Sequence, residues 1–286
     1  MARSVTIKNI KIGGDEPVRL MAAVNLSQES FYKGSVLNFS DKFELTKKFS
    51  SLIEDGTEIF DLGPKSTAPI DIYGNETRIS IEEEIKRIKI PLSVLRDIDE
   101  KILISVDTQS SKVADFAFSH GADIINDISG LKIDSGMNKV IGNHSGYVIV
   151  MAADENPGDV YKRDSVIKAL SSSISLAQEY IPKDHIIIDP GIGGWVPERS
   201  PEDDFQLILD TPDIKTQLQC PALIALSRKS FIGKTLNLLP NERLFGSLSA
   251  TAVSVLYGAN VIRTHDVKET KQAIIIAEKF KQLVSH

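Results

Sequence analysis

The chain has 286 residues, of which 42% are hydrophobic and 25% charged, with 39 acidic against 33 basic side chains. That length fits one α/β barrel or two small domains, with a core large enough to need neither a disulfide nor a structural metal. A net charge of −6 argues against general binding to nucleic acid or anionic membrane, no apolar stretch approaches the ~20 residues of a membrane span, and the start Met1-Ala2-Arg3-Ser4 lacks a signal-peptide core, so a cytoplasmic protein is expected.

From the N-terminus, Val5 to Ile12 reads as a short hairpin ending at Gly13 and Gly14. Eight apolar runs follow, at Leu20–Asn25, Glu58–Gly63, Ile102–Asp107, Asp123–Ile128, Tyr147–Ala152, His185–Pro190, Ala222–Ser227 and Val261–His265. Between them lie segments of helical period. Over 41–55, Leu45, Phe49, Leu52 and Ile53 share one helix face, and Ser80 with Glu83 gives a capping-box start for a helix over Ser80–Arg96. Further helices are predicted over Ser110–His120, Ser135–Gly142, Arg163–Tyr180, Pro201–Asp210, Glu242–Tyr257 and Val267–Val284, with Gly121, Pro182 and Gly258 as stop signals. Cys220, before Pro221 at the start of an apolar run, reads as a buried structural thiol.

Runs such as Ile186–Ile188 and Leu223–Leu226 are apolar on successive residues, as strands buried on both faces are. Strand and helix alternate eight times without a compositional break. This predicts a (β/α)8 TIM barrel forming one domain over 1–286, its bottom covered by the hairpin of 1–14. A doubly wound open sheet is the structural alternative, but Gly-x-Gly-x-x-Gly does not follow the first strand.

Barrel active sites lie where the strands end. Seven of the eight runs stop at a hydrogen-bonding or charged side chain: Asn25, Asp61, Asp107, Asn126, Asp189, Lys229 just past Ser227, and Arg263 with His265. Each also has a plainer reading. Asp189 can cap the turn through Gly191 and Gly193, or present a buried carboxylate to an amidine-like edge. Asp107 before Thr108 also suits a helix start. Of Asn126 and Asp127, one caps and the other faces the mouth. Arg228 and Lys229 are two cations at one strand exit. Arg263 and His265 point the same way by alternation and fit a phosphate site, and Asn25 offers a neutral oxygen to Mg²⁺. Together these suggest transfer chemistry on a heterocycle with a phosphate leaving group.

The same residues resemble the dihydropteroate synthase family, among the pterin-binding barrels. Asn25-Leu26-Ser27-Gln28-Glu29-Ser30-Phe31 is similar to the family's first-loop motif, and Asp61-Leu62-Gly63-Pro64-Lys65-Ser66-Thr67 to its second. Ser105 to Thr108, Asn126 to Ile128, Asp189 to Gly193, Ser227 to Ser230 and Arg263 to Asp266 follow in order. The resemblance implies condensation of a dihydropterin-methyl diphosphate with an arylamine of the 4-aminobenzoate type. It implies that Asp107, Asn126, Asp189 and Lys229 hold the pterin, that Asn25, Arg263 and His265 handle diphosphate and Mg²⁺, and that Glu29, Ser66, Thr67 and Ser230 lie on the arylamine side. Asp107, Lys229 and Arg263 are its catalytic residues, and a homodimer is the expected assembly.

The chain departs from the family pattern at Lys33, at Ala68, and at Gly194-Trp195-Val196-Pro197-Glu198-Arg199, where the family has an acid, an arginine, and an aromatic followed by a small residue and lysine. All three changes fall on the expected arylamine side. They read as drift in loops or as a pocket for a larger, ribosyl-phosphate arylamine of methanopterin-type synthesis, with Lys33, Lys65 or Arg199 meeting its phosphate. The rival functions are a pterin-dependent methyltransferase and a non-catalytic pterin-binding protein.

Overall fold

A computed structural model describes residues 4–27, 40–65 and 79–284. Val5–Ile7 (β1) and Ile10–Ile12 (β2) pair antiparallel, Val5 opposite Ile12, as the predicted hairpin. Eight parallel strands follow: Arg19–Asn25 (β3), Ile59–Gly63 (β4), Leu103–Asp107 (β5), Ile124–Asp127 (β6), Tyr147–Met151 (β7), Ile186–Asp189 (β8), Leu223–Ala225 (β9) and Val261–Thr264 (β10). Their spatial order is β8-β7-β6-β5-β4-β3-β10-β9. A parallel bridge between Ile188 and Ala222, with the Ile188 N–H donating to the Pro221 carbonyl at 3.0 Å, joins the two ends. The described helices are Lys42–Glu54 (α1), Ile81–Ile98 (α2), Ser111–Ser119 (α3), Met137–Asn143 (α4), Arg163–Ala177 (α5), Pro201–Leu218 (α6), Ser230–Leu236 (α7), Leu244–Leu256 (α8) and Val267–Val284 (α9). The fold is the predicted (β/α)8 barrel.

Strand alternation sorts the side chains into two cores. Leu20, Ala22, Val24, Phe60, Leu62, Ile104 and Val106 face outward and pack with helix residues such as Leu45, Phe49, Ile88 and Leu92. Met21, Ile59, Leu103, Ile124, Ile149, Ile187, Leu223 and Val261 form the second core together with Val5, Ile7 and Ile12. The hairpin therefore plugs the barrel's bottom with its alternate residues. The lower interior is apolar and filled, and polar side chains take the inward positions above it.

Helix ends differ from expectation in ways that have physical causes. α6 continues past Asp210 to Leu218 with Pro212 inside it. Leu207, Ile208, Ile214 and Leu218 are all buried, and that packing outweighs the roughly 3 kcal/mol an interior proline costs a helix. The short helix α7 was not predicted; Asn237 ends it in the left-handed region. The helix expected from Glu242 begins at Leu244, after a 3-10 turn over Pro240–Glu242. α4 starts two residues late, and α5 stops at Ala177. Ser80 accepts from the Glu83 N–H at 3.2 Å, but the Glu83 carboxylate turns to Lys86 and Arg87 and leaves the capping box half made.

Placing a charge in the plug should loosen it. Ile7→Asp is expected to cost about 3 kcal/mol or more in denaturant unfolding, whereas Thr6→Asp, on the hairpin's exposed face, should cost less than about 0.5 kcal/mol.

Candidate active site

The parity that turns Ile59, Leu103 and Ile124 inward does the same for Asp61, Asp107 and Asn126 further along each strand. All three are buried. Asp61 is the hub: its Oδ2 accepts from Arg263 Nε at 2.6 Å and from Asn126 Nδ2 at 3.2 Å, while Arg263 Nη2 reaches Asp107 Oδ2 at 3.5 Å. Residues from β4, β5, β6 and β10 thus meet in one network across the barrel. Asp61 ranked as a strand stop in the sequence but received no role; its inward register, two residues from the core residue Ile59, was the signal that could have found it.

Three oxygens of this network, Asp61 Oδ1, Asp107 Oδ1 and Asn126 Oδ1, are buried and accept no hydrogen bond from the described residues. Buried acceptors of this kind call for donors from a ligand or water. Burial and the neighbouring Asp61 charge push the Asp107 carboxyl up to about 8, against the pull of Arg263.

The plainer readings resolve residue by residue. Asp107 does not start the helix: the N-cap of α3 is Ser110, whose N–H donates to Thr108 Oγ1 at 3.2 Å in the turn before it, which leaves Asp107 facing inward. Asp127 is the capping partner of its pair, accepting from the Ser129 N–H at 2.7 Å and the Ser129 hydroxyl at 2.6 Å, while Asn126 joins the network. Asp189 does both jobs. One oxygen accepts from the Gly191 N–H at 2.7 Å, and the group stays buried, pushed up by desolvation and held down by Lys229.

Lys229 immediately precedes α7, and its ammonium donates to the Ile192 carbonyl and lies 5.3 Å from the Trp195 ring centre. Burial lowers it to about 8, although Asp189 and Asp204 oppose the shift. Ser230 follows, with a buried hydroxyl that has no hydrogen-bond partner among the described residues. Arg228 is a brace: its guanidinium bonds both oxygens of Asp266, at 2.9 and 2.7 Å, and so ties the loop after β9 to the loop after β10. His265 lies in that second loop, its Nδ1 3.2 Å from Ser227 Oγ. Burial and the Arg263 charge lower it to about 4, so it is neutral near pH 7. Asn25 ends β3 half-exposed, its Oδ1 accepting from the Ser27 N–H at 3.1 Å.

Arg199 corrects an expectation. It does not face the mouth as a phosphate ligand: its side chain is fully buried and lies 2.5 Å from Asp204. A loop arginine looks solvated in sequence, and only the fold reveals an acidic partner five residues away. Glu29, Lys33, Ser66, Thr67 and Ala68 lie outside the described residues.

A family model described as pterin binding enzyme matches residues 21–265. The chain belongs to that family. Among curated relatives, the dihydropteroate synthase of Clostridium beijerinckii is 33% identical over 268 residues, covering 93% of this chain and 94% of its own. Among solved structures, the dihydropteroate synthase of Coxiella burnetii in complex with pteroic acid superposes with a TM-score of 0.81 at 30% identity, covering 98% of this chain and 99% of its own. The enzyme of Xanthomonas albilineans with 4-aminobenzoic acid gives a TM-score of 0.81 at 27% identity, covering 98% and 99%.

The raised Asp107 carboxyl has a consequence for stability. Its protonated form is favoured in the fold, so its contribution is complete below the unfolded carboxyl value of about 4 and is lost as pH rises through about 8. Thermal melts of ligand-free protein should show Asp107→Asn gaining on the parent between pH 4 and pH 8; parallel melting curves across that window would contradict the assignment.

Proposed function

We propose that this pterin-binding barrel is a dihydropteroate synthase-type transferase. It condenses (7,8-dihydropterin-6-yl)methyl diphosphate with a 4-aminobenzoate-type arylamine, releasing pyrophosphate in folate-type pterin biosynthesis. The observation that carries this reading is the set of buried acceptors on Asp107 and Asn126, facing the same interior as Asp189 and Lys229. A pterin edge is rich in N–H donors and carries one carbonyl. Asp107, Asn126 and Asp189 would accept from the donors, and the Lys229 ammonium would donate to the carbonyl.

Arg263 and His265 would meet the diphosphate. Arg263 is already engaged by two carboxylates, which hold its guanidinium in one orientation before substrate arrives. The C–O bond ionises first, because the ring's electrons stabilise the exocyclic methylene cation and fixed positive charge favours the departing oxyanion. The weakly nucleophilic arylamine then attacks the methylene carbon, and the resulting anilinium loses its proton to water or the departing pyrophosphate, so no general base is assigned.

The family uses Mg²⁺, and the described residues suit an ion held mostly by diphosphate and water. Among them no cluster of three His, Cys, Asp or Glu side chains is arranged for a metal. Asn25 has an amide oxygen with a second lone pair beyond the one used by Ser27, so it would supply the single protein ligand. When bound, the ion would neutralise leaving-group charge.

For the acceptor, plain 4-aminobenzoate is preferred over a ribosyl-phosphate amine, because Arg199 is committed to Asp204. We also propose a cytoplasmic homodimer built on α8 and α9, as a single pterin-binding domain. Phe245, Val253 and Leu256 on the first helix, and Ile276, Phe280 and Leu283 on the second, are exposed apolar side chains on neighbouring elements. Among the described residues no helix is long and apolar enough to cross a membrane.

Pyrophosphate release with Mg²⁺ and each amine tests the reading. Turnover should favour 4-aminobenzoate, and clear preference for the ribosylated amine would overturn the acceptor assignment. Lys229→Ala should lower kcat/KM by about 100-fold or more. The parent rate should fall as pH rises through about 8, where Lys229 loses its proton. Arg263→Lys is a cleaner probe than Arg263→Ala, which strands Asp61 as an unpaired buried charge at a cost of about 3–5 kcal/mol. It should weaken the diphosphate substrate more than bare pterin, and equal losses would place Arg263 away from the diphosphate.

A further inference from the structure

The loop after β8 is one of the three places where the sequence departs from the family motifs, and it contains a device that the transferase reading does not use. We propose that Arg199 and Asp204 act as a positioning pair, fixing the Gly191–Gly193 turn so that this turn holds the Lys229 side chain at the pterin end of the cavity. The inference rests on the transferase reading and deepens it.

The turn is held at both ends by one ion pair. Arg199 Nη1 donates to the Gly191 carbonyl at 2.8 Å, and the Gly193 N–H donates to Asp204 Oδ1 at 2.7 Å. That same Asp204 oxygen lies 2.5 Å from Arg199 Nη2. Between these anchors the Ile192 carbonyl takes the Lys229 ammonium, and Asp189 takes the Gly191 N–H. The conformation needs glycine at both ends, with φ +70° at Gly191 and +127° at Gly193.

The turn also shapes where the lysine can go. A Cβ at Gly193 would fall 2.5 Å from Lys229 Cδ, so the stem of the lysine lies flat on that glycine. Trp195, four residues before Arg199 in the same loop, lies close to the ammonium, and the ring is itself packed on Gly158, where a Cβ would fall 2.1 Å from Trp195 Cγ. The pair has no solvent face: both side chains are essentially inaccessible. A buried ion pair is a poor source of stability, because desolvation offsets most of the attraction. Its geometry, with one bond to each end of a catalytic turn, gives it a use in orientation.

The full chain carries the test, with 6-hydroxymethyl-7,8-dihydropterin as the binding probe in calorimetry. Arg199→Met combined with Asp204→Leu removes the pair without stranding a charge. The double variant should melt within a few degrees of the parent, yet bind the bare pterin on the order of 10-fold to 100-fold more weakly and lose kcat, as small displacements of a catalytic group do. Asp204→Asn keeps an acceptor for the Gly193 N–H and removes the charge. Facing Lys229 are then Asp189 from β8, Arg199 from the loop and Arg263 from β10. The alkaline midpoint of pterin binding should drop by about half a unit or more.

A folded double variant that binds pterin as the parent does would overturn the proposal. So would an unmoved midpoint in Asp204→Asn, which decides alone should the double variant fail to fold. A parent that binds pterin and forms no product with either amine would sink the transferase reading, while the binding comparison still judges the pair.

Discussion

One guanidinium, Arg263, lies between two buried carboxylates at the top of the barrel, and the polar half of the interior depends on it. Three acidic groups, Asp61 on β4, Asp107 on β5 and Asp189 on β8, lie near the strand ends beyond an apolar floor. Ionised carboxylates in such surroundings are tolerated only with paired charge. Arg263 supplies it to Asp61 directly and Lys229 supplies it to Asp189, while Asp107, 3.5 Å from Arg263, keeps its proton up to about 8. The arrangement is fixed before ligand arrives, and it leaves three oxygens with nothing to accept from the described residues. A site of this kind exchanges some stability for readiness to bind a donor-rich ring.

Around this centre, other charged residues tie loops together. Arg228 and Asp266 lock together the loops that carry Lys229 and His265. On the opposite side, Arg87 of α2 donates to the Pro64 carbonyl at 3.0 Å, and buried Glu84 accepts from the Thr108 hydroxyl at 3.0 Å, so one helix steadies the loops after β4 and β5. The Asp189 turn has its own brace in Arg199 and Asp204. Rigidity is thereby distributed over several short polar links, each near a strand end that faces the cavity.

Much of this was legible in the sequence, because the signals are periodic. Doubly buried strands give apolar runs, and where each run stops is where Asp107, Asn126, Asp189 and Arg263 could be named beforehand, with roles taken from the family motifs. What parity does not give is partnership across the barrel. Asp61 was visible as a strand end, but its bond to Arg263 spans 202 residues and no local pattern encodes it. Arg199 was given a phosphate for the same reason, and Arg228 no partner: the sequence does not show that the fold brings Asp204 or Asp266 to them. α6 outruns its predicted end at Asp210, since the local penalty of Pro212 is overruled by the buried face of the helix.

The most direct test of this account is a crystal structure of the chain with 6-hydroxymethyl-7,8-dihydropterin bound. The ring is expected in the upper barrel, its amino edge accepted by Asp107, Asn126 and Asp189 and its carbonyl on the Lys229 ammonium, with Arg263 still paired to Asp61. A pterin found elsewhere, with the Asp107 and Asn126 oxygens satisfied by water alone, would contradict it.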